Sequence, residues 1–163
     1  MLVNRTWIYG VVGGIIAGAL VWGMAALSPD RQVKRVFSEF LGAASGRNWK
    51  KVGVLMAPGY RDQWGSDRER ALMLGTEAFR NYLVLQIEAS EVKVARQGAW
   101  ATVSAHLKIT GRGNAVGEMI TQQVNELKGE FQFAWKRQSW KPWDWQLESI
   151  SEPEIEFDPA SLP

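Results

Sequence analysis

Ala101-Thr102-Val103-Ser104-Ala105-His106-Leu107-Lys108-Ile109 sets an apolar side chain at every odd position and a polar one at every even position. A period of two sends alternate side chains to opposite faces, so this stretch reads as a strand with one oily and one wet face. Val92 and Val94 carry the same alternation, and Arg96-Gln97-Gly98 supply a turn between the two runs. From Gln86 onward the chain therefore predicts an antiparallel hairpin. Further on, Phe131, Phe133 and Trp135 alternate with Gln132, Ala134 and Lys136. After a turn at Ser139 to Pro142, Trp143, Trp145 and Leu147 fall on alternate positions, predicting a second hairpin in which these three face inward with Trp135.

Ahead of the sheet the period is helical. Ser28-Pro29-Asp30 reads as a helix start, with a capping serine, a proline where no N–H is needed and an acid near the positive dipole end. Val33, Val36, Phe37, Phe40, Leu41 and Ala44 then form one apolar stripe opposite Arg31, Lys34, Arg35 and Glu39, and Gly42 and Gly46 mark its end. Asn48 caps a short helix through Trp49, Val52, Leu55 and Met56, which Ala57-Pro58-Gly59 stops. Tyr60 to Trp64 reads as a brief strand, and Ser66-Asp67-Arg68-Glu69 has capping-box spacing before a third helix that fades over Asn81 to Val84. Gly111-Arg112-Gly113-Asn114 breaks the first hairpin. The stretch from there to Leu127 has helically spaced Ile120, Val124 and Leu127 in strand-like surroundings, and it is taken as an irregular strand. The tail from Ser151, with three prolines and several acids, reads as extended or disordered.

The N-terminal part belongs to a different class. Trp7 to Leu27 (WIYGVVGGIIAGALVWGMAAL) holds no charged side chain over 21 residues, enough for a helix to cross about 30 Å of hydrocarbon. Trp7, Tyr9 and Trp22 suit the interfaces. The competing reading is a cleaved secretory signal, with Gly23-Met24-Ala25 and Ala26-Leu27-Ser28 as small-x-small sites. The length of the apolar run and the lone Arg5 before it favour a retained single-pass anchor. Gly10, Gly14 and Gly18 line one face, a pattern that admits close approach of a second helix and hence a homodimer, although glycine is also common in membrane helices. Arg31, Lys34, Arg35 and Arg47 follow the segment, but they sit within a long domain that translocates regardless of charge, so an extracytoplasmic domain is expected. The organisation is then a tail over 1–6, the anchor over 7–27, one domain over 28–150 and a second tail over 151–163.

With 19 basic and 17 acidic residues and a net charge of +2, nothing points to a nucleic acid partner. The absence of cysteine removes disulfides and thiol chemistry. His106 is the single histidine, on the polar side of its strand, so it is read as an outer-face residue and a histidine-rich metal site is ruled out. Asp62, Glu118 and Asp144 are isolated acids, and Gly111-Arg112-Gly113 lacks the lysine and helix of a phosphate loop. No catalytic residue, metal or cofactor is assigned. Trp140, in the turn of the second hairpin with Lys141 beside it, is the least explained aromatic and suits a partner protein or a membrane surface.

Three helices followed by an antiparallel sheet resemble the nuclear-transport-factor-2-like superfamily, also called SnoaL-like or ketosteroid-isomerase-like. The resemblance covers about residues 30 to 150. It is carried by the helix with Phe37 and Phe40, by Pro58-Gly59-Tyr60 after the second helix, by the capped helix at Ser66, and by the aromatic ending Phe131 to Lys136 and Trp143 to Leu147. It implies an α+β fold, with the helices packed on a strongly curved, cone-like sheet around a cavity. Phe40, Tyr60, Tyr82, Val103, Phe133 and Trp135 are then the expected ligand-binding residues. Members resembling the isomerases place a carboxylate base and hydrogen-bond donors in that cavity. The matching positions here, Phe37, Phe40, Val103, Ala105 and Leu107, offer neither. The expected function is a membrane-anchored, non-enzymatic binding or scaffold domain for a partner protein or a small hydrophobic ligand. One alternative is a tethered isomerase- or hydrolase-like enzyme using Tyr60, Asp62 and Tyr82, and another is an assembly component of an envelope complex.

Overall fold

The structure, a computed structural model, describes residues 28–141 and 143–154. Its elements in chain order are α1 (Pro29–Ser45), α2 (Trp49–Leu55), α3 (Arg68–Phe79), β1 (Tyr82–Gln97), β2 (Trp100–Gly113), α4 (Ala115–Glu126), β3 (Phe131–Arg137) and β4 (Trp145–Ser151). The strands form one antiparallel sheet in the order β1-β2-β3-β4, an α+β arrangement of helices packed on a curved sheet. Among the described residues no helix is long and apolar enough to cross a membrane. The apolar segment over 7–27, with Gly10, Gly14 and Gly18, lies outside the described residues.

α1 forms where its caps and stripe place it. The Ser28 hydroxyl accepts from the Arg31 N–H at 3.4 Å, Pro29 occupies the first turn, and Val33, Val36, Phe37, Phe40, Leu41 and Ala44 are all buried. The Phe37 ring meets Phe133 edge-on at 4.9 Å, and Phe40 meets Trp135 at 6.0 Å and 85°, geometries that suit aromatic quadrupoles. Two contacts fix the helix direction. Its last residue, Ser45, accepts from the Ile87 N–H at 3.0 Å, while Asp30 in its first turn pairs with Arg96 at 3.3 Å. α1 therefore runs opposite to β1, its start lying over the end of β1 that turns into β2.

The sheet bends at irregularities in pairing. Register shifts occur between Tyr82 and Val84, between Ser90 and Lys93, and between Ala134 and Trp135. The second leaves Glu91 in the left-handed region at φ 53°, and each extra residue increases local twist and bend. Gly98, at φ 61°, closes the β1–β2 turn in a conformation that disfavours side chains.

Four expectations need correction. The stretch after Asn114 is helix α4 rather than an irregular strand. The Asn114 side chain accepts from Val116 N at 3.0 Å and Gly117 N at 3.1 Å, which supplies the missing start signal. Helix α3 is capped by Asp67, whose carboxylate accepts from Arg70 N at 2.9 Å, rather than by Ser66. It ends at Phe79, so β1 begins at Tyr82, earlier than Gln86. Tyr60 to Trp64 is a loop instead of a strand, although it follows β4, with Arg61 N donating to Glu148 O at 3.0 Å and Gln63 N to Ile150 O at 3.2 Å. Beyond Ile150 the chain stays on the domain as far as Glu154. Glu152 is fully buried and exchanges hydrogen bonds with the Gln63 side chain, at 2.6 and 3.1 Å.

Candidate functional site

The inward faces of α1, α2, α3 and the sheet do not close completely. Between them lies a cavity of about 270 Å³, walled by Phe40, Leu41 and Ala44 of α1, Trp49 and Val52 of α2, Ala71, Leu72, Gly75 and Phe79 of α3, and Ile87, Leu107, Phe131, Phe133 and Ile150 of the sheet. Met56, Tyr60 and Trp64 complete the wall from the loop after α2. No lining residue carries a charge, and the lining residues with a polar side-chain group are Tyr60, Trp49 and Trp64. Such a wall favours an uncharged apolar occupant, because a desolvated ion would find no partner.

α3 is the cavity's loosest side. It contributes four wall residues yet contains no fully buried residue of its own, and Met73 and Leu74 face solvent. Gly75 sits directly against Trp49: a Cβ there would lie 2.9 Å from the indole ring. The glycine thus brings the α3 backbone onto the ring.

The predicted ligand-binding residues divide. Phe40, Tyr60 and Phe133 line the cavity. Val103 and Trp135, both at 0% exposure, are packed in the core and are not among its lining. Tyr82 is buried and holds α4 in place, its hydroxyl donating to Gly117 O at 2.7 Å and lying 3.0 Å from the Thr121 hydroxyl. Sequence reasoning missed Trp49, Leu72 and Phe79. Trp49 and Phe79 meet at 5.4 Å with their rings tilted by 47° across α2 and α3, and no local signal shows that two helix faces converge.

Nor do Tyr60, Asp62 and Tyr82 assemble into a reacting group. Asp62 is a turn residue whose carboxylate accepts from Trp64 N at 3.0 Å and Ser66 N at 2.7 Å. Burial first, and the nearby Asp62 charge second, push the Tyr60 hydroxyl well above the ordinary phenol range. It therefore stays neutral, a hydrogen-bonding group rather than a base.

On the outer face of the sheet a second group forms. His106 Nε2 lies 3.8 Å from both Glu91 Oε2 and Glu130 Oε1, and the three residues offer one potential ligand atom each within 4.8 Å. The Lys93 ammonium, 2.6 Å from Glu130, already supplies the cation. That hydrogen bond is the main cause of a lowered Glu130 carboxyl and a raised Lys93 amine. The sequence placed His106 on the outer face, but its acidic neighbours depend on the bulge at Glu91 and on the pairing of β2 with β3.

At the far end of β1 and β2 the surface changes character. Trp140 and Trp143 are 83% and 69% exposed, and Lys141 beside them is also exposed. Trp143 therefore does not face inward as the alternation predicted, because β4 begins only at Trp145.

No family model matches the sequence, and no curated protein matches it either. Solved structures do resemble the fold. A scytalone dehydratase-like protein from Novosphingobium aromaticivorans aligns with TM-score 0.58 at 9% identity, over 75% of this chain and 80% of that one. A dehydratase-like member of the nuclear-transport-factor-2-like family from Streptomyces avermitilis aligns with TM-score 0.55 at 18% identity, over 76% and 95%. Bd1075 of Bdellovibrio bacteriovorus aligns with TM-score 0.58 at 7% identity over 78% of this chain, which spans 41% of that protein's length. The described domain thus has the nuclear-transport-factor-2-like fold, a fold with both binding and enzymatic members.

Proposed function

We propose that this chain is a membrane-tethered, non-enzymatic binding domain that holds a small, uncharged, apolar molecule between the sheet and α3. The observation that carries the reading is the cavity wall: about 270 Å³ of space bounded by aliphatic and aromatic side chains, with one neutral phenol and two indoles as its polar side chains. A dry cavity of roughly 150 Å³ already accommodates a benzene ring, so this one suits a fused ring system or a short acyl chain. Acid–base chemistry would need a titratable group facing the ligand, and the wall has no carboxylate, imidazole or amine. The tether is supported by the charge-free run from Trp7 to Leu27.

The test uses the full chain in nanodiscs and the neutral fluorophore N-phenyl-1-naphthylamine. Wild type should give a saturable fluorescence increase above that of empty discs. Ala71→Phe, which fills the cavity from its loosest side, should abolish the saturable part while leaving the melting midpoint within a few degrees of wild type. Ala44→Leu repeats the test from the α1 wall. Equal saturable signals from all three chains would refute the reading.

A further inference from the structure

The end of the sheet that carries Gly98 combines features that the cavity does not use. Arg137 N donates to Ala99 O at 2.8 Å and Gln138 N to Asp144 O at 2.8 Å, so the β1–β2 turn and the β3–β4 loop lie side by side. This rim exposes Trp100, Trp140 and Trp143, and Lys136 lies over the Trp100 ring at 5.0 Å. Lys136, Arg137 and Lys141 come from the β3–β4 side, and the exposed Arg31 and Lys34 from the start of α1. The Asp30–Arg96 pair fixes that start over the same turn. Residue 28, the first after the charge-free run, is thereby held at the rim, whereas the cavity wall lies toward the other end of β1 and β2, at Ile87 and Leu107 and under α3.

We propose that this rim rests on the surface of a bilayer containing anionic lipid, with Trp140 and Trp143 at headgroup depth and the cations against lipid phosphates. Indole is favoured at that depth, and each cation near an anionic surface adds attraction. The location selects a bilayer over a protein partner: three exposed tryptophans and a cationic excess stand at the one end where the apolar segment joins the domain. The inference rests on reading residues 7–27 as the anchor. It adds an orientation, with the rim down and α3, over the cavity, facing away from the membrane.

Because the chain has no cysteine, a single one can be introduced and labelled with the fluorophore NBD. Gln138→Cys marks the rim and Glu77→Cys marks α3, each in the full chain reconstituted into phosphatidylcholine vesicles with and without phosphatidylglycerol. A headgroup spin-labelled lipid should quench the label at 138 at least threefold more than the label at 77, and phosphatidylglycerol should widen the difference. Adding Trp140→Ser and Trp143→Ser should reduce the quenching at 138 while the chain still floats with the vesicles. A chain that floats but shows equal quenching at the two positions overturns the docking and leaves the anchor standing, with the rim then open to a protein partner. A chain that does not float overturns both.

Discussion

Four tryptophans lie within eleven residues of the last hairpin, and the fold divides them into two opposite environments. Trp135 and Trp145 are essentially fully buried, whereas Trp140 and Trp143, a few residues away, are mostly in solvent. The difference is one of position rather than composition. The first pair sits on the inward face of paired strands, and the second sits in the loop where pairing has ended. The molecule as a whole repeats this contrast: one end of the sheet surrounds an uncharged hollow under α3, and the other displays indoles and cations. A count of aromatic residues cannot separate these uses, but strand register does.

Substitutions at the buried tryptophans should be felt most. Trp135→Ala removes a ring packed against Phe40 and should cost about 3–5 kcal/mol in urea unfolding. Trp140→Ala, by contrast, should change stability by less than about 0.5 kcal/mol. Tyr82→Phe deletes the buried hydroxyl between β1 and α4 and should lose about 1–2 kcal/mol, with amide exchange rising first in α4. Asn114→Ala removes the cap of the same helix and should cost about 1 kcal/mol in the same assay. Gly98→Ala, at a left-handed turn position of the rim, should cost about 1 kcal/mol or slightly less.

The smallest effect belongs to the outer face. Lys93 holds the Glu130 carboxyl below its ordinary range. Whatever this pair contributes is therefore present above the unfolded carboxyl pKa and lost as pH falls through the folded one. The raised Lys93 amine acts in the complementary sense: its share is present below the unfolded amine pKa and lost as pH rises through the folded one. Lys93 is exposed and Glu130 lies at the surface half-buried, so Lys93→Met should leave the melting midpoint unchanged within about a degree. The Glu130 carboxyl should titrate at higher pH in that variant when followed by NMR.

Much of this architecture was legible. The α1 stripe, its Ser28 cap, both hairpins and the inward set Val103, Phe133 and Trp135 follow from periodicity, because each repeats its signal over several turns or strand pairs. α4 is harder to read because the helical spacing of Ile120, Val124 and Leu127 lies in strand-like surroundings, and its Val116 and Met119 stay exposed. Its cap, Asn114, belongs to the run Gly111 to Asn114 that reads as a break in the first hairpin. The cavity was half legible. Phe40, Tyr60 and Phe133 could be placed by resemblance, but Trp49, Leu72 and Phe79 meet only where α2 and α3 fold over the sheet. That convergence is tertiary, as is the placement of His106 beside Glu91 and Glu130.

The hollow under α3 is our proposed binding site for an uncharged apolar molecule. Methyl-resolved NMR of the full chain in nanodiscs, titrated with N-phenyl-1-naphthylamine, tests it most directly. Saturable shifts should appear at the wall methyls of Leu72, Ile87, Leu107 and Ile150, while Val33 and Val36, buried in the core away from the cavity, stay fixed. Wall methyls that do not move, while the probe shifts only residues at the tryptophan rim, would show that the hollow does not bind it.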